Sequence, residues 1–268
     1  MAFIGGGNMA RSLIGGLVAR GHGAGRLRVA EPVPALREAL AADFGVTAVA
    51  TAPDAADGAG LWVLAVKPQV LREVCASLAP LAQARRPLVV SIAAGITTAQ
   101  IDRWLGGGQA VVRTMPNTPA LLGAGATGLY ANPAVDGGQR AAAEALMQAT
   151  GITAWIPDEA LMDAVTAVSG SGPAYVFLLA EAMQAAGEAQ GLAPDTARRL
   201  VVQTLLGASR MLDESGDAAA VLRQRVTSPG GTTQAAIECF EAGGFRERVD
   251  AAIAAAARRG RELAAGNE

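Results

Sequence analysis

The first glycine-rich segment of the chain has the residue types of a pyrophosphate-binding turn. It reads Gly5-Gly6-Gly7-Asn8-Met9-Ala10 and directly follows a short apolar segment, Ala2–Ile4. Gly5 permits a tight turn, Gly7 lets an anion approach the backbone because it lacks a Cβ, and Ala10 lets the next helix pack on a sheet. The free N–H groups at that helix start point at the anion. The segment predicts a dinucleotide site, and a purely structural turn is the alternative.

A carboxylate follows the second predicted strand, Leu27–Ala30. Glu31 stands where dinucleotide folds place the acidic residue that binds the ribose 2′-hydroxyl. A carboxylate accepts a hydrogen bond from a free hydroxyl and repels a 2′-phosphate, which favours NADH. The alternative is an ordinary loop carboxylate before Pro32. Arg28 and Arg37 are near enough in sequence to serve a phosphate instead.

Two further strand ends are expected at the same edge of the sheet. Ala65-Val66-Lys67-Pro68 and Ser91-Ile92-Ala93-Ala94-Gly95 end apolar runs that predict buried parallel strands. Ligands of open α/β sheets bind beyond the carboxyl ends of the strands. Lys67, the only lysine in the chain, is placed to contact phosphate or ribose, or alternatively is simply solvated. The small residues 93–95 leave room for a nicotinamide ribose.

Two segments in the second half of the chain combine hydroxyl groups with glycines. They are Ser169-Gly170-Ser171-Gly172-Pro173-Ala174-Tyr175 and Thr227-Ser228-Pro229-Gly230-Gly231-Thr232-Thr233. Each places hydroxyls and backbone N–H groups at a predicted helix start, which suits a carboxylate. N-capping is the alternative, and it explains single hydroxyls better than doubled glycines. A rigid turn, Arg113-Thr114-Met115-Pro116-Asn117-Thr118-Pro119, is expected close to the same cleft.

The elements that must position these residues change in type near residue 157. Residues 1–156 alternate strands and helices with short loops, which predicts a doubly wound parallel (Rossmann) sheet of the α/β class. Residues 157–268 predict an all-helical domain, in which the apolar helix Pro173–Gln190 needs a partner surface. The predicted strands are Ala2–Ile4, Leu27–Ala30, Leu61–Val66, Leu88–Ile92, Ala110–Thr114, Gly128–Tyr130 and Ile152–Ile156.

Composition limits the classes of function. The chain has 268 residues, a formal net charge of −2 and 51% apolar residues. Without a basic stripe a nucleic-acid partner is not expected; no membrane span and no signal peptide are expected either. His22, the only histidine, lies in the loop Gly21-His22-Gly23, so neither a histidine-based triad nor a metal site is expected. Cys75 and Cys239 predict buried, reduced thiols in a cytoplasmic protein, with a catalytic thiol as the alternative.

Taken together, the motifs resemble those of the Δ1-pyrroline-5-carboxylate reductase family along essentially the whole chain. The glycine-rich start is shared by many dehydrogenases, whereas Ser169–Tyr175 and Thr227–Thr233, at their spacing, are specific to this family. The resemblance implies the last step of proline biosynthesis: a hydride passes from NAD(P)H to the imine carbon of 1-pyrroline-5-carboxylate, giving L-proline. It also implies a homodimer with intertwined helical domains and a site built from both subunits, or a larger assembly of such dimers.

The resemblance further implies roles for single residues. The nest Ser228–Thr232 should hold the substrate carboxylate, and Thr233 is the expected catalytic residue, because it should hydrogen-bond the ring nitrogen. A cyclic imine is partly protonated near neutral pH, so orientation of the hydride donor and acceptor is the main expected catalytic effect. The expected substrate-binding residues are Ser228, Gly230, Gly231, Thr232 and Thr233. The expected cofactor-binding residues are Ile4, Gly5, Gly6, Gly7, Asn8, Met9, Glu31, Ala65, Val66, Lys67, Pro68, Ala93, Ala94 and Gly95.

One residue departs from the family pattern. The family often uses NADPH, with a hydroxyl or amide side chain at the position of Glu31, so both NADH and NADPH stay open. Two rival functions remain: a related imine or β-hydroxyacid reductase, and a nucleotide-sensing regulator without turnover. The hydroxyacid enzymes rely on a lysine in the helical domain, whereas Lys67 lies in the first domain. A regulator would need no carboxylate nest at Ser228–Thr233.

Overall fold

The computed structural model describes residues 1–265, so residues 266–268 of the predicted helical domain lie outside the described part. The chain forms two compact units. The first contains Met1–Ser171 together with the chain from Ala255 onwards, and the second contains Gly172–Ala254. Among residues 1–265, no helix has the length and apolar character needed to cross a membrane.

The first unit is built on one sheet of eight strands. The strands are β1 Ala2–Ile4, β2 Arg28–Ala30, β3 Thr47–Val49, β4 Leu61–Leu64, β5 Leu88–Ser91, β6 Ala110–Met115, β7 Gly125–Ala131 and β8 Gly151–Trp155. Their order in the sheet is β3-β2-β1-β4-β5-β6-β7-β8. The strands from β1 to β6 run parallel, β7 pairs antiparallel with β6, and β8 pairs parallel with β7. The order reverses at β1, which creates the switch point where such sheets bind ligands.

Helices account for most of the remaining chain. In the first unit they are α1 Asn8–Ala19, α2 Pro34–Phe44, α3 Ala52–Ala56, α4 Pro68–Arg85, α5 Thr98–Trp104, α6 Gly137–Met147 and α7 Met162–Val165. A π-helical turn, Thr166–Gly170, follows α7. The remaining helices are α8 Gly172–Ala189, α9 Pro194–Glu214, α10 Ala219–Arg225, α11 Thr232–Ala242 and α12 Phe245–Ala265.

The sheet buries both of its faces, which explains the continuous apolar runs of its strands. One core includes Phe3 with Leu13 of α1 and Leu40 of α2. The other includes Trp62 with Leu71 of α4. All five side chains are fully buried. Successive strand residues point to opposite faces, so each short strand contributes to both cores.

Local signals define the helix ends that border the sheet. Thr97 and Gln100 form a capping box at the start of α5, and Asp136 and Gln139 form another at the start of α6. In each box the N-cap side chain accepts from the backbone N–H of the glutamine three residues later, and the glutamine side chain accepts from the N-cap backbone N–H. Two backbone N–H groups that have no acceptor within the helix are thereby satisfied. Gly45 ends α2 in the left-handed conformation with φ +69°, which glycine adopts without steric cost.

The predicted architecture is confirmed: a Rossmann-type, mainly parallel sheet is followed by a helical second half, and residues 157–265 contain no strand. Three details differ from the prediction. The last two strands, β7 and β8, run antiparallel to the other six. β3 and α3 were not predicted, because segments this short show no clear hydrophobic periodicity. β7 is also longer than predicted, and its first residue lies very close to the first residue of β8, since a Cβ on Gly151 would be 1.9 Å from the Gly125 oxygen.

The boundary between the two compact units lies between Ser171 and Gly172, later in the chain than the predicted domain boundary at 156/157. Segment 159–170 packs within the first unit, where Met162 and Ala167 are fully buried. Glu159 also accepts hydrogen bonds from the backbone and hydroxyl of Thr98. Residues 159–170 form a 3₁₀ turn, a short α-helix and the π turn in succession. The domain boundary at 156/157 stays a prediction.

Close packing of α1 gives a test of this fold. A Cβ on Gly16 would lie 2.3 Å from the backbone oxygen of Ala149, so Gly16→Ala forces the helix away from its neighbour. We expect the free energy of unfolding, measured by urea titration, to fall by about 1–3 kcal/mol. Gly137→Ala is the matched control, because a Cβ there meets nothing within 4 Å. Equal stability of the two variants would contradict the packing described here.

Candidate functional site

Gly5 joins the carboxyl ends of three strands in the first unit. Its N–H donates to the Ala30 oxygen at the end of β2, at 2.9 Å. Its φ is +105°, and a Cβ at this position would lie 2.5 Å from the Ala65 oxygen after β4. Both the left-handed backbone and the close approach require glycine. The predicted tight turn is therefore present at the switch point of the sheet.

The carboxylate of Glu31 lies against the glycine-rich turn. Its Oε2 accepts from the Gly6 N–H at 3.1 Å and its Oε1 from the Val33 N–H at 3.0 Å. Glu31 is only 7% exposed. Each carboxylate oxygen has a second lone pair, so both can accept a further hydrogen bond. Glu31 is thus more than the loop carboxylate of the alternative interpretation, because it holds the turn in place.

The helix start beside Gly7 is open to an anion. Gly7 precedes α1 without any side-chain cap, and a Cβ on it would meet nothing within 4 Å. The first N–H groups of a helix have no intrahelical acceptor, and together with the helix dipole they attract negative charge. The free space around Gly7 and the uncapped start of α1 suit the pyrophosphate of a dinucleotide.

The other expected cofactor residues lie at the same edge of the sheet. Ala65 donates its N–H to the Ile4 oxygen at 2.8 Å, and the Val66 side chain would be 3.1 Å from a Cβ on Gly5. Lys67 is exposed and precedes α4, whose first residue is Pro68. The loop 93–95 follows β5, the neighbour of β4 in the sheet. These positions agree with a dinucleotide site, and binding by each residue stays a prediction.

Arg113 forms a buried charge cluster that the sequence analysis missed. Its side chain is 6% exposed, with Nη1 3.4 Å from Glu159 Oε1 and Nη2 3.7 Å from Asp163 Oδ1. The Glu159 carboxylate also accepts from the Thr98 N–H at 2.7 Å and from its hydroxyl at 2.9 Å. The partners are far apart in sequence and share no motif, so no sequence signal connects them. A buried pair of this kind depends on such additional hydrogen bonds.

The π turn connects to the rigid turn that follows β6. Asn117 donates from its side-chain amide to the Ser169 oxygen at 3.0 Å. A Cβ on Gly170 would lie 2.5 Å from Met115 Cε, so the two turns pack closely. Residues 169 and 170 therefore end a packed π turn, and Ser171 connects it to α8. The Ser169 hydroxyl donates to the Val165 oxygen and so is used within this turn.

In the second unit, the predicted carboxylate nest precedes α11. Gly230 has φ +71°, and its N–H donates to the Gln234 side chain at 2.7 Å. The Gly231 N–H donates to the Ser228 oxygen at 3.0 Å. Two N–H groups of the nest thus already have acceptors within the described chain. The uncapped first turn of α11, which begins at Thr232, supplies the N–H groups for an anion.

Neither thiols nor metal ligands form a second centre in residues 1–265. That part of the chain contains no group of three or more His, Cys, Asp or Glu residues placed to hold a metal ion. Burial raises the pKa of the Cys75 thiol to about 12. Cys75 is therefore protonated and unreactive at neutral pH. Cys239 is exposed, so its predicted burial is wrong for the single chain; its position on the outer face of α11 explains this.

Comparison with known proteins gives family matches in both halves of the chain. Residues 159–263 match the family model described as pyrroline-5-carboxylate reductase dimerisation. Residues 1–95 match the model described as NADP oxidoreductase, coenzyme F420-dependent. A curated pyrroline-5-carboxylate reductase from Pseudomonas aeruginosa is 52% identical, over 98% of this chain and 96% of its own length.

Two solved structures are similar over nearly the whole chain. A pyrroline-5-carboxylate reductase from Coxiella burnetii is 44% identical with a TM-score of 0.94, covering 98% of this chain and 97% of that one. The pyrroline carboxylate reductase of Plasmodium falciparum, solved with NADP bound, is 27% identical with a TM-score of 0.86 over the same shares. These similarities confirm the resemblance inferred from the motifs. The chain belongs to the pyrroline-5-carboxylate reductase family of NAD(P)-dependent oxidoreductases.

Proposed function

We propose that the protein reduces 1-pyrroline-5-carboxylate to L-proline by hydride transfer from NADH or NADPH, the last step of proline biosynthesis. The observation that carries this proposal is the 52% identity, over 98% of the chain, to a curated pyrroline-5-carboxylate reductase. The geometry of the first unit supports it, because the uncapped start of α1 and the open space at Gly7 suit a dinucleotide pyrophosphate.

In this reaction the chain's own residues bind the dinucleotide and the substrate and orient them relative to each other. When bound, the nicotinamide supplies the hydride. The start of α1 holds the pyrophosphate, and the Thr232 and Thr233 N–H groups at the start of α11 hold the substrate carboxylate. The Thr233 hydroxyl hydrogen-bonds the ring nitrogen. Transfer of a hydride to the carbon of the protonated imine would leave the C=N π electrons as a lone pair on the ring nitrogen, which keeps its proton. The product is the neutral secondary amine, which then takes a second proton from water.

This mechanism requires little acid catalysis from the protein. A cyclic imine is partly protonated near neutral pH, so the reactive cation is already available. Holding donor and acceptor in reacting geometry is then the main contribution of the enzyme. The sequence agrees with this, because His22 is the only histidine and it lies in the turn between α1 and β2, far in the chain from Thr233.

We also propose that the protein acts as a homodimer through its helical unit. None of the residues of α8 is buried within the single chain, and Phe177 and Leu178 are each 66% exposed. Exposed apolar helices of this size mark interaction surfaces. A small-molecule substrate and a second copy are the expected partners; nucleic acid, a membrane and a metal are not. The free thiols of Cys75 and Cys239 agree with a cytoplasmic location.

For the cofactor, we propose a preference for NADH with NADPH accepted. Two backbone N–H groups donate to the Glu31 carboxylate and hold it against the glycine-rich turn. Its charge, at 7% exposure, opposes a 2′-phosphate while accepting from a 2′-hydroxyl. Arg37 lies at the same strand end, since Nη1 donates to the Glu31 and Pro32 carbonyls at 2.8 Å each. This guanidinium offsets part of the repulsion.

The reaction is tested by following NADH and NADPH absorbance after addition of 1-pyrroline-5-carboxylate. We expect oxidation by the wild-type protein and loss of dinucleotide binding in Gly7→Val. The valine occupies the pyrophosphate space but has an allowed φ of −69°, so stability should fall by no more than about 1 kcal/mol. Dinucleotide binding without turnover would favour the nucleotide-sensing alternative, and turnover of β-hydroxyacids instead would favour that class of reductase.

Thr233→Ala tests the anchor for the ring nitrogen. Loss of one oriented hydrogen bond should lower kcat about 10–100-fold, equivalent to about 1.4–2.7 kcal/mol in the barrier. Thr227→Ala is the matched control in the same segment, because the Thr227 hydroxyl donates within the chain to the Arg223 oxygen. Unchanged kinetics of Thr233→Ala would exclude the proposed role.

Paired substitutions test the cofactor preference through kcat/KM for each dinucleotide. Glu31→Gln should raise the NADPH to NADH ratio about tenfold or more, because it removes the buried charge. Arg37→Gln should lower kcat/KM for NADPH and leave kcat/KM for NADH unchanged. Arg28→Gln is the control, since Arg28 lies at the opposite end of β2. A strong NADPH preference in the wild-type protein would contradict the role of Glu31.

A further inference from the structure

We propose that the last turns of α12 brace the loop 93–95 and thereby position the nicotinamide end of the cofactor. Gly260 and Leu263 are the positioning residues, and the inference rests on the proposed function for the role of that loop. The first observation is that the chain from Ala255 onwards belongs to the first compact unit, with the Rossmann sheet, and not to the unit of the preceding helices.

The brace contacts the loop at Gly95. This residue is buried and has φ +71°. A Cβ on Gly95 would lie 3.5 Å from the Ala264 nitrogen and 3.7 Å from Leu263 Cβ, so the last turns of α12 pack on the loop backbone. Ala93 is also buried, whereas Ala94 between them is exposed. The loop is thus held at both ends and presents its middle residue to solvent.

A second contact places α12 against the buried charge cluster. A Cβ on Gly260 would lie 3.3 Å from Asp163 Oδ1, and Asp163 pairs with Arg113 of β6 at 3.7 Å. Arg113 also pairs with Glu159, whose carboxylate accepts hydrogen bonds from the backbone N–H and the hydroxyl of Thr98. Thr98 begins α5, the helix that follows the loop.

The loop is therefore held on two sides by elements distant in sequence. α12 packs on Gly95 directly, and the cluster of Arg113, Glu159 and Asp163 fixes the start of α5 just after it. Because α12 itself touches the cluster through Gly260, a shift of α12 moves both supports together. A change confined to α12 should consequently alter the nicotinamide end of the site without altering the glycine turn at β1.

Gly260→Val in the full-length chain tests this brace, because a Cβ 3.3 Å from Asp163 Oδ1 already forces the neighbour to move and valine adds two further methyl groups. Gly260→Ala is a milder second variant that keeps the proposal testable if Gly260→Val folds poorly. Ala255→Val is the matched control, since it adds the same side chain at an exposed position of the same helix. Hydrogen exchange of the unliganded proteins and dissociation constants for NADH and ADP are the measurements.

We expect amide exchange in residues 92–97 to rise about tenfold in both test variants, while exchange in residues 5–10 stays unchanged. The dissociation constant and KM for NADH should rise about tenfold, with ADP affinity and the KM for 1-pyrroline-5-carboxylate unchanged. Unchanged exchange at 92–97, or equal weakening of ADP and NADH, would overturn the inference. Hydrogen exchange is measured on the unliganded proteins. It therefore tests the contact between α12 and the loop even if the protein does not catalyse the proposed reaction.

Discussion

The close backbone crossing at Gly5 is the constraint on which the first unit depends. β1 can end between β2 and β4 only because a residue without a Cβ reaches within van der Waals distance of the Ala65 carbonyl. After that crossing the chain turns into α1, which packs on the sheet and begins beside Gly7 without a side-chain cap on its first N–H groups. Glu31 then holds the following glycine by its N–H. The turn thus offers an anion backbone N–H groups and free space, without a charged side chain capping the helix start.

Two buried charges in this unit are stabilised in different ways, and both serve positioning. The Glu31 carboxylate accepts hydrogen bonds from two backbone N–H groups at the edge of the sheet. Arg113 lies between Glu159 and Asp163, where each carboxylate offsets part of its desolvation. Both arrangements consist of hydrogen bonds and ion pairs within the chain. The described residues accordingly agree with a reaction in which orientation of hydride donor and imine, and not acid catalysis, dominates.

The two units differ in how far each one completes its own core. The sheet is covered on both faces by its helices, and its largest side chains are fully buried. The helical unit leaves α8 without a buried residue and exposes large apolar side chains such as Phe177. An apolar helix surface of this kind needs a second protein surface to exclude water. The match to a dimerisation model over residues 159–263 agrees with a second copy in that place.

By itself the sequence determined what depends on local sterics and burial: the glycine turn at Gly5, the apolar parallel strands, the Pro and Gly helix boundaries and the all-helical second half. These follow from backbone conformations and periods that neighbouring residues define. The tertiary structure alone decided the reversed direction of β7 and β8, the pairing of Arg113 with Glu159 and the use of the Gly230 N–H by Gln234. Each of these depends on which groups meet in space. The sequence of a single segment does not specify the direction of a strand in the sheet or the acceptor that a donor finally uses, because several partners satisfy the same local chemistry.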